Sequence, residues 1–329
     1  NNIILDKGMY KTEKSFANVL EGLDPSKNYI GTGMEKLDAF ERQLKRFDIK
    51  INGASSDTVS KFFNNSQAAM LFPEFVKRCV MQGINQSSII KNIVATNTYI
   101  NAIDYRSITC KTADNEPKAV LEGAVIPKTE ISTKENLIAL TKRGRMIVSS
   151  YEAIKFQRLD LFAVTLRQIG VYMAKAMLKD AVNVVLTGDG NSNPADVISV
   201  TTAKTLAYAD LIKLWQSFGD FEMNTMLVSP NVMASILAMP EFKEPVSAVA
   251  FEKSNKIITP FGATLYCSTA IPDGKVIALD KSSALEMITA ADVLVESDKF
   301  IDCQLERATI TTINGFAKIF KDASKVLSI

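Results

Sequence analysis

The stretch 161–190, "LFAVTLRQIGVYMAKAMLKDAVNVVLTGDG", contains no proline and places apolar residues at helical spacing. It predicts one helix of about 27 residues that stops at Gly188-Asp189-Gly190, a rod of about 40 Å. An average globular helix has about 11–12 residues. Leu159, Phe162, Leu166, Ile169, Met173 and Met177 form one stripe along it, and Arg158, Arg167, Lys175 and Lys179 occupy other directions. One side of such a rod lies on its own domain, and the other meets water or another chain. The glycines at its end are not a phosphate loop. They follow a helix instead of opening one, and no Lys-Ser/Thr comes after them. The partial negative charge of a helix C-terminus also repels phosphate. The reading is a left-handed glycine after the last turn, then a turn through Asn191-Ser192-Asn193-Pro194.

Downstream, helix and strand signals alternate. "LAYADLIKLWQSF" reads as a helix, "NTMLVSP" as a short buried strand, and Ser229-Pro230 as the cap and first turn of a helix through Leu237. "ATLYCSTAIPDGKVIALD" gives two strands about the Pro272-Asp273-Gly274 turn. "DVLVESD" and "ERATITTINGFAKIF" give two more, and "SKVLSI" closes the chain. The class is α+β.

Upstream, residues 1–30 are polar without steady periodicity and read as an arm. Thr32 opens a helix-like run through Ile51 in which Glu41 and Lys45 pair one turn apart, and residues 67–82 form another helix with Pro73 in its first turn and Gly83 at its end. The strand-like run "TYINAIDYRSITC" is expected to meet "NLIALTKRGRMIVS", 136–149, as a long hairpin reaching away from its domain. A connection that long is normally functional. Ser149 and Glu152 have capping-box spacing for a short helix to Gln157, and Asp160 is placed to cap the rod.

The chemical inventory is sparse. There is no histidine among 329 residues, which removes imidazole acid–base catalysis, Ser–His and Cys–His pairs and imidazole metal sites. Cys79, Cys110, Cys267 and Cys303 are scattered, so a zinc site is not expected and reduced buried thiols are. Lys+Arg is 38 against Asp+Glu 36, a balance that argues against charge-driven nucleic-acid binding while permitting a wall that encloses it. Neither a basic-then-apolar leader nor an apolar run of about 18 residues is evident, so no membrane partner is expected. Ser229 reads as an N-cap, Glu241 and Glu244 as solvated loop, and Lys142-Arg143-Gly144-Arg145 as a charged strand edge. Phe62-Phe63 and Phe72/Phe75 read as packing anchors. No enzyme activity and no cofactor are expected. Arm, hairpin and rod each bury themselves poorly within one chain, and the simplest repeated partner is another copy.

The order of these parts resembles the major capsid protein of tailed bacteriophages, the Hong Kong 97-type capsid fold. "QAAMLFPEFVKRCVMQG" looks like the end of that family's N-terminal arm region. "YRSITC" through "VLEGAVIPKTEISTKENLIALTKRGRMIVSS" looks like its extended loop, with Glu122-Gly123 and Ile126-Pro127 before the returning strand. The rod with Gly-Asp-Gly is similar to the spine helix. The resemblance implies an arm with lead-in helices over 1–98 and an extended loop over 99–148. It implies a peripheral domain over 149–188 and 291–318, and an axial domain over 189–290 and 319–329. It further implies hexamers and pentamers closing an icosahedral shell around double-stranded DNA, with portal, scaffold and decoration proteins as further partners, assembled in a bacterial cytoplasm. Inter-subunit contacts are expected at Lys111, Lys118, Glu122, Lys128, Lys134, Arg143, Arg145, Arg158 and Arg167. Some members join subunits through a lysine–asparagine bond, and nothing in the pattern assigns one of the loop lysines to it. The alternative is a related encapsulin-type compartment shell, which the long arm disfavours.

Overall fold

The computed structural model of the chain describes residues 3–10, 14–102, 104–110, 119–122, 131–242, 257–300 and 305–329. Helices α1 (Phe16–Leu23), α2 (Ala39–Arg46), α3 (Ser66–Ala69) and α4 (Phe72–Ser87) precede strands β1 (Thr96–Tyr99), β2 (Ile108–Cys110), β3 (Ile131–Thr133) and β4 (Thr141–Ser150). Then come α5 (Tyr151–Phe156), α6 (Leu159–Thr187), β5 (Asp196–Ser199), α7 (Tyr208–Gln216), β6 (Thr225–Val228) and α8 (Pro230–Ala238). The chain closes with β7 (Ile257–Ile258), β8 (Thr264–Cys267), β9 (Lys275–Leu279), β10 (Leu285–Phe300), β11 (Leu305–Lys318) and β12 (Ser324–Ser328). Residues 1–87, 143–173 and 293–312 form one compact unit, and 88–142, 174–292 and 313–329 a second.

The first unit corrects the expected arm. Leu5, Phe16 and Leu20 are buried in one core with Phe40, Leu44, Phe62, Phe75, Leu159 and Leu166. Tyr10 stacks on Phe16 at 4.3 Å, its hydroxyl donates to the Met70 carbonyl at 2.6 Å, and the Arg46 guanidinium donates to the Ile3 carbonyl at 2.7 Å. The apolar residues of this segment are too widely spaced to show a period, yet α1, capped by Ser15, gathers two of them onto one face. α2 starts at the capping box of Asp38 and Glu41, not at Thr32, so Glu41 is committed to the Asp38 amide. Arg42 is buried, 2.7 Å from the Asp24 carboxylate and 4.4 Å over the Tyr29 ring. Phe62 packs on Phe72 and Phe75 at 5.7 and 5.4 Å, as anchors do. Gly83 does not end a helix, because α4 continues to Ser87.

Ser150, one residue after the expected Ser149, caps α5 by accepting from the Ala153 amide at 3.2 Å. Ser150→Ala should therefore lower the unfolding free energy by about 1 kcal/mol, while Ser149→Ala stays within about 0.5 kcal/mol. Denaturant titration of the two variants separates the readings. α6 spans 29 residues. Asp160 lies within its first turn, paired with Arg158 at 2.9 Å, instead of capping it. Against the sequence expectation, α6 is long and apolar enough to cross a membrane by length and composition. Its buried side is nonetheless used within the chain: Leu159, Leu166 and Met173 enter the core of the first unit, and Met177, Val182 and Val185 a core of the second.

In the second unit a six-stranded sheet runs in the order β5-β12-β9-β6-β8-β7. β6 lies parallel to β8 and antiparallel to β9, and β12 parallel to β5 and antiparallel to β9. Side chains alternate across it. Leu227, Ile277, Leu279 and Val326 face the end of α6, whereas Met226, Val228, Val276, Ala278 and Leu327 face α7 and α8. Burial on both faces explains the continuous apolar runs of β6 and β9. Ser229 caps α8 as expected.

The expected long hairpin is rearranged. β1 pairs in parallel with β10, and β4 is an edge of the four-stranded sheet β1-β10-β11-β4. Outgoing residues 108–110 pair with returning residues 131–133, in the register Ile108↔Thr133, Thr109↔Ser132 and Cys110↔Ile131. The returning run 136–149 thus reads as strand because β11 is its partner, not because 98–110 is.

Candidate assembly surface

The short stem of β2 and β3 exposes its isoleucines. Ile108 is 56% and Ile131 is 70% exposed, and Leu121 beyond the stem is 84% exposed. Below the stem, the Lys134 amide donates to the Ser107 carbonyl at 2.8 Å and the Ile138 amide to the Tyr105 carbonyl at 2.9 Å. The root is held by two buried carboxylates.

Asp189, in the turn after α6, accepts from Lys134 Nζ at 2.9 Å, from the Lys318 amide at 3.0 Å and from the Asn191 amide and side chain. Gly188 and Gly190 on either side have φ of +89° and +93°, the left-handed geometry that favours glycine and that the sequence called for. Lys134 Nζ also donates to the Lys318 carbonyl. The neighbouring Asn136 donates from its side chain to the Gly190 carbonyl at 2.8 Å, and its amide to Asn191 Oδ1 at 2.9 Å. Burial works to raise the Asp189 pKa, but hydrogen bonds from Lys134, Asn191 and Lys318 outweigh it and hold the carboxyl below its ordinary value. Glu286, near the start of β10, accepts from Thr98 and Tyr105 hydroxyls at 2.6 Å each through Oε1, and from the Ser107 hydroxyl at 2.9 Å through Oε2. Burial, with the bond to Glu286, pushes the Tyr105 phenol up to about 12.

Of these four residues, Glu286, Tyr105 and Ser107 were not singled out by sequence, and Asp189 was read only as part of the turn that ends the rod. The available signals were an acid between two glycines after a long helix, and a lone acid within the apolar run "ALEMITAA". Of the expected contact residues, Lys134 is corrected: it is 7% exposed and its ammonium is held by its own chain. Glu122 and Arg145 are exposed. Arg143 is half-buried on edge strand β4. Arg158 donates to the Gly53 and Ala54 carbonyls, and Arg167 reaches Gln82 at 3.4 Å. Lys111, Lys118 and Lys128 lie outside the described residues, as does Glu244. Elsewhere on the surface the first unit exposes Leu161, Val164 and Tyr172 on one side of α6, and Met146 and Val148 on β4. Exposed apolar side chains aligned on an element mark docking surfaces.

Comparison with known proteins accords with this geometry. The sequence profile of the family described as "Phage capsid protein" matches residues 133–316, more than half of the chain. No curated protein matches the sequence. Among solved structures, the capsid of a native GTA particle superposes with a TM-score of 0.55 at 14% identity, over 75% of this chain and 90% of that one. The virus-like particle from Pyrococcus furiosus gives 0.53 at 14% identity, over 78% and 98%. The capsid of cyanophage P-SCSP1u gives 0.53 at 11%, over 74% and 88%. The chain belongs to the phage capsid protein family, as a major capsid protein of the Hong Kong 97-type fold whose place is the virion shell.

Proposed function

We propose that the chain associates with its own copies as hexamers and pentamers that close an icosahedral shell around double-stranded DNA, and that it works as architecture and not as a catalyst. The observation that carries this reading is the extended loop. Its stem leaves Ile108 and Ile131 in solvent although its root is fixed by buried polar groups, an arrangement suited to a partner surface and poor for an isolated chain. Within such a shell α6 serves as a strut. The near-neutral charge, 38 basic against 36 acidic residues, suits a wall that encloses DNA without gripping it, and leaves packaging to a portal and motor. Scaffold and decoration proteins complete the expected partners.

Replacing residues 111–130 by a short Gly-Ser linker spares β2, β3 and Lys134. The variant subunit should fold and should form no closed particles in electron micrographs. Particles of normal size would remove the loop from assembly. A compartment shell that houses a protein cargo is the second reading. Nuclease-protected DNA inside native particles supports the first reading, and a protein cargo the second.

A further inference from the structure

We infer that Asp189 and Glu286 are positioning residues for assembly: two buried carboxylates clamp the returning and outgoing limbs of the extended loop and so fix the direction in which it leaves the subunit. The inference rests on the loop acting in assembly, as proposed above. Asp189 holds the returning limb through Lys134, and its turn holds Asn136. Glu286 holds the outgoing limb through Tyr105 and Ser107 and ties it to Thr98 of β1. Two backbone hydrogen bonds, Lys134 to Ser107 and Ile138 to Tyr105, join the limbs between the clamps. Behind them the returning limb lies against β11 so closely that a Cβ on Gly315 would stand 2.6 Å from the Ala139 carbonyl oxygen.

The physical case is one of asymmetry. A carboxylate 7% exposed, as both are, costs several kcal/mol unless its lone pairs are matched. Glu286 is matched largely by hydroxyls from the outgoing limb, and Asp189 by an ammonium from the returning one. Each limb can leave only by stranding a buried charge. Hydrogen bonds to ionised groups are also about twice as strong as neutral ones. A loop hinged on such a root behaves as a lever, whose angular error at the base grows with distance along it. Neither clamp residue is part of the large apolar cores of the unit, so a variant that leaves no unmatched charge there should fold and show its main effect on loop direction.

The test uses the full chain and three variants, Glu286→Gln, Lys134→Met and Lys134→Met/Asp189→Asn. The double variant leaves a neutral pair of similar shape, so it keeps the experiment interpretable if Lys134→Met alone fails to fold. Hydrogen exchange at the Lys134 and Ile138 amides should accelerate about tenfold or more, the consequence of losing a hydrogen bond to a charged group. Amides of β6, β9 and β12 should be unchanged. Electron micrographs should show fewer closed particles and a broader spread of diameters. Unchanged exchange at Lys134 and Ile138 overturns the clamp. Accelerated exchange with uniform particles of normal size overturns the positioning role. Normal particles from the linker variant would instead overturn the assembly reading, leaving the exchange result to judge the clamp alone.

Discussion

Gly170→Ala should destabilise the subunit by about 3 kcal/mol or more, although glycine-to-alanine within an ordinary helix gains about 1 kcal/mol. The inversion of sign follows from how α4 and α6 cross. A Cβ on Gly170 would stand 2.2 Å from the Val80 carbonyl oxygen and 2.9 Å from the Ile84 amide nitrogen. A Cβ on Gly83 would stand 2.0 Å from the Arg167 carbonyl oxygen. These obstacles are backbone, not the ends of flexible side chains, so no rotamer change relieves them and the helices must separate. Separation opens the core around Val80, Cys79, Leu166 and Met173, all buried between or beside them, and adds a cavity cost to the clash. Gly83→Ala should cost a similar amount. The double variant should cost clearly less than the sum, because the first alanine already forces the helices apart. Denaturant titration of the three variants checks all of this. An increase in midpoint for either single variant would show that the helices are not in backbone contact.

That contact also shows where the sequence was legible. The rod, the capped α8, the buried β6 and the α+β class follow from periodicity and cap chemistry, which are local. Gly83 was read as a helix end because glycine most often punctuates. Its reason for being there is the Arg167 backbone, 84 positions away, and no local pattern reports such a partner. The arm was misread for a related cause. Leu5, Phe16 and Leu20 are sparse in sequence, and their burial depends on Phe40, Phe62 and Phe75 from later elements. Strand character in 141–150 was visible, but its partner was not, since a β-run records that it pairs and not with what. Lys134 was expected to be an outward contact because it lies in the segment that resembles the extended loop. Only the fold places it beside Asp189, itself legible as a turn residue and illegible as a buried charge.

Lys318→Met should stabilise the subunit at pH 7 and abolish a pH dependence expected of the native chain above pH 8. Lys318 is fully buried, and its Nζ has no hydrogen-bond partner among the described residues. Burial, opposed by the attraction of Asp189 and Asp196, pushes its pKa from 10.5 down to about 8. The amine therefore binds its proton less tightly in the folded chain than in the unfolded one. Between about pH 8 and 10.5 the unfolded state holds a proton that the folded state has released, so unfolding free energy rises with pH across that window. Below pH 8 both states are protonated, and the folded one carries the full penalty, on the order of 3 kcal/mol at 1.36 kcal/mol per pKa unit. Methionine fills a similar length without charge. The stability difference, variant minus native, should be largest at pH 7 and should shrink toward pH 10. Taking the difference cancels the tyrosines and other lysines that titrate in the same range. The backbone of residue 318 still donates to Asp189 and accepts from Lys134 in the variant, so the loop root should stay closed and its hydrogen exchange unchanged. A difference that is flat from pH 7 to 10 would mean that the amine reaches water and is not where the fold places it. If the difference follows the expected course, the chain keeps a destabilising charge next to its loop root, and that charge costs least in alkaline solution. Lys318→Met particles should keep the diameter of native ones, because the backbone bonds at the loop root are unaltered.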